Sequence, residues 1–251
     1  MNKVLRYILL IIIIIGVLYG VLYWLEYSAI QTDLLWNGYV IATNFSSPLP
    51  SVTMVNGSWA VPKVTPSILA IIPTIGRYLQ WVGIGGYNAD PTVIQIGTSV
   101  YYLPNPLLPK VSYYAWYETY PERPITISNI SISAGDVIYA EVKCVANCSS
   151  QKPTWLLYIN DTSNKESFSK EVQFNSTKKY GEWIVETVGS DEYSQYLVNM
   201  SNTQFVGDHA TMNNLTASTG SLHYEKVNQA SNLLNVSDLL HDGTGFVVTK
   251  R

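Results

Sequence analysis

The chain has 251 residues, a formal net charge of −3 and only 13% charged residues, about half the ~25% of ordinary soluble domains. With no basic run and so small a net charge, nothing favours a polyanionic partner such as nucleic acid. Nineteen tyrosines and seven tryptophans, beside many Ser, Thr, Asn, Val and Ile residues, are the stock of strands and polar turns, so an all-β chain is expected.

The N-terminus, MNKVLRYILLIIIIIGVLYGVLYWLEYS, holds an uncharged apolar stretch from Tyr7 to Leu25. As a helix rising about 1.5 Å per residue it would span roughly 28 Å, the thickness of a bilayer core. Lys3 and Arg6 precede the stretch and Glu26 follows it. The charge rule therefore predicts residues 1–6 in the cytoplasm, a transmembrane signal-anchor at 7–25, a linker at 26–34 and a single domain at 35–251 outside the cell. The alternative is a cleaved signal peptide, whose apolar core is normally about 7–15 residues and ends in a small-x-small site. Tyr27-Ser28-Ala29 is a poor one. Both readings export the domain, as a single-pass membrane protein or a secreted one.

Sequons at Asn44, Asn56, Asn129, Asn147, Asn160, Asn175, Asn199, Asn214 and Asn235 agree with export and predict a glycosylated surface. Cys144 and Cys148 lie four apart and suit a small-loop disulfide in an oxidising compartment. Neither is at ligand spacing from His209, His223 or His241, so no zinc site is expected.

Beyond the anchor, short alternating runs recur between turn signals: GYVIAT, SVTMVNGSWAVP, YLQWVGIGG, TVIQIGTSVYY, YYAWYETYP, ITISNISI, DVIYAEVKCV, TWLLYIND, SFSKEVQF and GEWIVET. TQFVGDHATM, SLHYEKVNQ and GFVVTKR continue the pattern more loosely, and DEYSQYLVNM reads as a short helix. Many evenly spaced strands imply one β-sandwich.

Three of these strands carry polar residues on otherwise packed faces. Side chains alternate along a strand, so Gln95 shares a face with Val93 and Gly97, and Glu118 shares one with Trp116 and Tyr120. In GEWIVE, Glu182, Ile184 and Glu186 point one way while Trp183 and Val185 point the other. Aromatic faces with a few orienting polar groups are what a groove for a polar polymer needs.

The blocks WNGYVI (36–41), GSWAVP (57–62), WVGIGG (81–86), VIQIG (93–97), AWYETYP (115–121), SAGD (133–136) and GEWIVE (181–186) occur in the order and spacing of the glutamic peptidases called eqolisins, family G1, which the chain resembles from Trp36 to Glu186 and more faintly beyond. The resemblance implies a bent antiparallel β-sandwich, concanavalin- or jelly-roll-like, with polypeptide substrates lying across the concave face. It also implies acid endopeptidase activity without metal or cofactor. Carried onto this sequence, the catalytic pair is Gln95 and Glu186, the groove aromatics are Trp36, Trp81, Trp116 and Tyr120, and the additional groove carboxylate is Glu118. Glu182 is then a neighbour with its carboxylate in water. Such a pair makes chemical sense: a Glu takes the proton of a bound water as it attacks the peptide carbonyl and returns one to the leaving amine. The Gln amide holds that water and donates N–H to the oxyanion. Two positions depart from the family pattern, Gly85 and Tyr114, where many members carry Asp.

Two other readings compete. Glu182-Trp183-Ile184-Val185-Glu186 has the E-x-x-x-E spacing of some glycoside hydrolases, but Ile184 stands where an Asp tunes that pair, and a retaining pair sits about 5–5.5 Å apart. A non-enzymatic carbohydrate- or surface-binding module would use the same aromatics yet has no need of Gln95 with Glu186.

Overall fold

The structure, a computed structural model, describes residues 5–7, 10–18, 21, 34–65, 76–103, 110–188 and 199–251. Residues 10–18 are helical with exposed apolar side chains. Among the described residues no helix is long and apolar enough to cross a membrane. The expected anchor falls partly outside them, at 8–9, 19–20 and 22–25, as do residues 1–4 and 26–33. Of the helix expected at 191–200, residues 191–198 lie outside the described set, and Asn199–Met200 pair as a short strand instead.

In chain order the strands are β1 (Leu34–Ala42), β2 (Val52–Ala60), β3 (Val64–Thr65), β4 (Gly76–Gly85), β5 (Val93–Leu103), β6 (Lys110–Tyr120), β7 (Ile125–Ile127), β8 (Val137–Ala146) and β9 (Thr154–Asp161). They continue with β10 (Glu166–Gln173), β11 (Tyr180–Val188), β12 (Asn199–Met200), β13 (Thr203–Met212), β14 (Leu215–Ser218), β15 (Tyr224–Asn228), β16 (Leu234–Val236) and β17 (Gly245–Lys250). The first sheet runs β15-β1-β11-β4-β5-β6-β7 and the second β10-β9-β8-β2-β13-β17-β16, with β14 beside β13 and a separate β3–β12 pair. The all-β sandwich read from the sequence is therefore present. ITISNISI is a strand only over its first three residues; Ile130 and Ile132 leave the sheet and still enter the core.

Period-2 alternation builds the core. Tyr39 and Ile41 of β1, Val82 and Ile84 of β4, Ile94 and Ile96 of β5, and Trp183 and Val185 of β11 meet Val55 and Trp59 of β2, Ile138 and Val142 of β8, Trp155 and Leu157 of β9, and Phe205 of β13. Each fully buried side chain of this kind contributes roughly 1.5–3 kcal/mol. Two polar bolts cross between the sheets. Trp59 Nε1 donates to Thr98 Oγ1 at 2.8 Å, which donates to Gln80 Oε1 at 2.9 Å. Trp183 Nε1 donates to the Asn56 carbonyl at 2.7 Å. They fix β4, β5 and β11 from beneath, and the opposite face of these strands and of β6 carries Gln95, Glu118, Glu182 and Glu186. Cys144 and Cys148 form a disulfide at the end of β8.

Candidate functional site

The face of the first sheet turned away from the second holds its own apolar cluster, in which Trp81, Trp116, Ile184, Leu79 and Tyr180 are buried and Trp36, Phe45, Tyr87 and Tyr114 pack at the margin. Strand register places the polar residues within it. β11 lies between β1 and β4, so Glu186 pairs with Trp36 on one side and Leu79 on the other. Gln95 of β5 pairs with Gly83 of β4 and Glu118 of β6, while Trp81 pairs with Ile184 and Gly97, and Gly97 with Trp116. Trp36, Trp81, Gln95, Trp116, Glu118 and Glu186 consequently share one face. Tyr120, opposite Val93, lies at its edge and is 48% exposed.

Hydrogen bonds tie these side chains together. Trp81 Nε1 donates to Glu186 Oε2 at 2.7 Å, and Gln95 Nε2 donates to Glu118 Oε2 at 2.5 Å. The Trp81 indole lies over Gly83, where a Cβ would sit 2.8 Å from a ring carbon and 3.1 Å from Gln95 Cβ. Only a residue without a side chain lets the ring and the Gln share that place. Trp36 meets Trp81 edge-on, centroids 4.9 Å apart, and its backbone is clamped on both sides by Gln229, through bonds of 2.8 and 3.0 Å.

Glu186 is 4% exposed. Burial pushes its pKa up to about 7, against the downward pull of the Trp81 hydrogen bond and the Arg77 guanidinium and with a further upward push from Glu118. The Glu118 pKa is also raised, chiefly by burial, with the Gln95 bond and Arg77 opposing. Both carboxyls thus lie in each other's field and in that of one cation.

Several buried polar atoms on this face have no hydrogen-bond partner in the protein: Arg77 Nε, Gln95 Oε1, Ser99 Oγ, Trp116 Nε1 and both Glu182 oxygens. Such atoms are rare in native proteins, because each costs about 1–3 kcal/mol, and a concentration of them marks a place that water or a ligand satisfies.

Glu182 corrects the sequence reading. Expected in water, it is fully buried. β11 is an interior strand, and the turn at Tyr87–Ala89 folds back over its outer face, with Tyr87 and Phe45 on the cluster and Gly86 beside Trp36. Burial, reinforced by Asp90 and opposed by the Gly85 amide, raises the Glu182 pKa well above the ordinary carboxylate value and favours its neutral form. The same turn accounts for Gly85. Its φ is +94° and a Cβ there would lie 2.3 Å from the Thr92 carbonyl oxygen, so this backbone excludes an Asp. Tyr114 packs on the apolar cluster.

Arg77 was not singled out by the sequence reading, although the alternation Arg77-x-Leu79-x-Trp81 puts it on the Trp81 face. Among the described residues no group of His, Cys, Asp and Glu is arranged to hold a metal ion.

Residues 35–249 match the model of the Peptidase A4 family. The chain is 27% identical over 162 residues to aspergillopepsin-2 of Aspergillus niger and 30% identical over 126 residues to scytalidopepsin B of Scytalidium lignicola. These alignments cover 64% and 50% of the chain, and 56% and 44% of the relatives, so it spans about half the length of the relatives it matches. The fold is similar to that of scytalido-glutamic peptidase bound to a transition-state-analogue inhibitor, with a TM-score of 0.64 at 19% identity over 88% of this chain and 100% of the other. Aspergilloglutamic peptidase from Aspergillus niger aligns with a TM-score of 0.53 at 24% identity, over 70% and 99% of the two chains.

Proposed function

Because the chain belongs to the Peptidase A4 family, we propose that the outer face of its first sheet is the active site of a glutamic-type endopeptidase in which Glu186 and Gln95 activate water. The observation that carries this reading is the half-satisfied state of the pair. Trp81 occupies one oxygen of Glu186, Glu118 occupies one N–H of Gln95, and Gln95 Oε1 is buried without a partner. Gln95 therefore has a carbonyl to orient a water and a second N–H for an oxyanion.

In this mechanism the water, held by Gln95 Oε1, loses its proton to Glu186 as its oxygen bonds to the peptide carbonyl carbon. The carbonyl oxygen becomes an oxyanion that takes a hydrogen bond from the Gln95 amide, an interaction typically worth about 10² to 10³ in rate. Glu186 then returns the proton to the nitrogen as the C–N bond breaks, and both products leave. The half-buried Trp36 and the exposed Tyr120 at the rim are the aromatics an extended polypeptide can lie against, with Trp81 and Trp116 buried beneath them and Glu118 fixing the Gln95 amide.

A base with a pKa of about 7 gains activity as pH rises through the acid range, whereas the buried neutral carboxyls favour the folded state at low pH. The optimum of the acid activity belongs on the weakly acidic side of neutrality. The formed disulfide, the nine sequons and the apolar 7–25 stretch support an exported domain held by its N-terminal segment or released from it.

The test is hydrolysis of a denatured protein between about pH 2 and 7, with pepstatin and a chelator present. Cleavage that survives both and is absent from Glu186→Gln and Gln95→Ala supports the reading. Wild-type-like cleavage by Glu186→Gln removes it.

A further inference from the structure

Arg77 is the second residue of β4, on the face that carries Leu79, Trp81 and Gly83. Its strand register sets it opposite Tyr101 of β5, one same-face step beyond the Leu79–Glu186 pair, so Glu186 is its diagonal neighbour. The side chain is half-buried, and its Nε is buried with no hydrogen-bond partner. Among the described residues the one ion pair joins Lys226 and Asp238, so Arg77 touches neither Glu186 nor Glu118 as a salt bridge. A guanidinium is always charged, and one whose buried Nε has no partner among the described residues is costly unless a charge forms near it.

We propose that Arg77 is a positioning residue of the site, a fixed cation that acts on the reaction through the charge state of Glu186. The inference deepens the reading of Glu186 as the base and rests on it. Among the described residues, the strand register sets these charged and titratable groups around the cation: Glu186 on β11 with Glu182 further along it, Glu118 and Tyr114 on β6, and Tyr101 on β5. Burial and Asp90 raise the Glu182 pKa and favour its neutral form. Glu118 and Glu186 are the two carboxyls whose proton affinity Arg77 lowers. As Glu186 accepts the water's proton, its negative charge passes to the oxyanion, and the total charge in the cation's field is unchanged. Arg77 therefore favours the ionised base without penalising the step that consumes it.

The experiment is the pH profile of kcat/KM for the wild type, Arg77→Met and Arg77→Lys, each checked for cooperative melting. Removing an opposite charge at this range moves a carboxyl by about one pH unit or more. The acid limb of Arg77→Met should shift up by about one unit, a loss near tenfold on the limb that fades above it, with Arg77→Lys restoring most of the shift. A profile that overlays the wild type, or a loss equal at every pH, overturns the proposal. If Arg77→Met does not fold, Arg77→Gln carries the same test. Glu186 titration, followed as the carboxyl infrared difference between each protein and its Glu186→Gln counterpart, reads the same shift without turnover. An unshifted band overturns the Arg77 role whether or not Glu186 is catalytic, and retained activity in Glu186→Gln alone overturns the base assignment.

Discussion

The two ends of β11 carry the same residue on the same face, four positions apart, and both side chains are buried. At one end Glu186 is wired: Trp81 holds one oxygen, and the fields of Arg77 and Glu118 act on it in opposite directions. At the other end Glu182 has no side-chain partner, sits beneath the Tyr87–Ala89 turn and faces Asp90. Burial alone makes a neutral carboxylic acid. Burial combined with a donor and a cation makes one that can change charge within reach of working pH, which is the requirement for a base.

The comparison breaks first on activity. Glu186→Gln should lower kcat by at least about 10³ through loss of the base, while Glu182→Gln, which changes a buried carboxyl with no part in the proton transfer, should stay within a few-fold of wild type in steady-state kinetics. Equal losses from the two variants would erase the distinction. Gln95→Ala comes next, with a loss of about 10² to 10³ expected in kcat and little change in KM, because the oxyanion interaction exists only in the transition state.

Stability reads the contrast in the other direction. A carboxyl whose folded pKa is raised stabilises the fold fully below its unfolded value and loses that contribution as pH rises towards the folded value. For Glu186 the window runs from the ordinary 4.5 to about 7, amounting to about 3 kcal/mol at ~1.4 kcal/mol per pH unit. Glu182 and Asp208, both buried and both raised well above the ordinary carboxylate value, add to the fall over the same pH rise. Melting temperature should decline from pH 4 to 7, and Glu182→Gln should flatten the decline by removing one ionisation while leaving the rate profile in place. A slope identical to wild type would mean that Glu182 is not held neutral. The smallest effect is expected of Trp81→Phe, which keeps the ring over Gly83 and deletes the donor to Glu186. The acid limb of kcat/KM should move upward and cost about tenfold.

Much of this was readable in the chain. Period-2 alternation is local, so it placed Gln95 with Gly97, Trp116 with Glu118, and Glu186 with Ile184 on common faces before any pairing was known, and the apolar alternate residues specified the core. The pairing of β4 with β11 was not readable, because register between segments about 100 residues apart is set by the packing of everything around them. Glu182 was misread for the same reason. A strand with a polar face looks solvated when taken alone, and the Tyr87 ring that packs against Tyr180 on this face comes from about 95 residues earlier in the chain. Arg77 was invisible because one arginine at the start of a strand resembles any exposed terminus, and its meaning comes from the carboxyls that the register brings beside it.

The central claim is that Glu186 and Gln95 act as one unit on one water. A double-mutant cycle tests it most directly: kcat/KM of Gln95→Ala, Glu186→Gln and the double variant, measured on one peptide at the wild-type optimum. Residues acting as a unit are grossly non-additive, so the double variant should be no slower than the slower single variant, within about threefold. Losses that multiply would show two independent contributions and contradict the account.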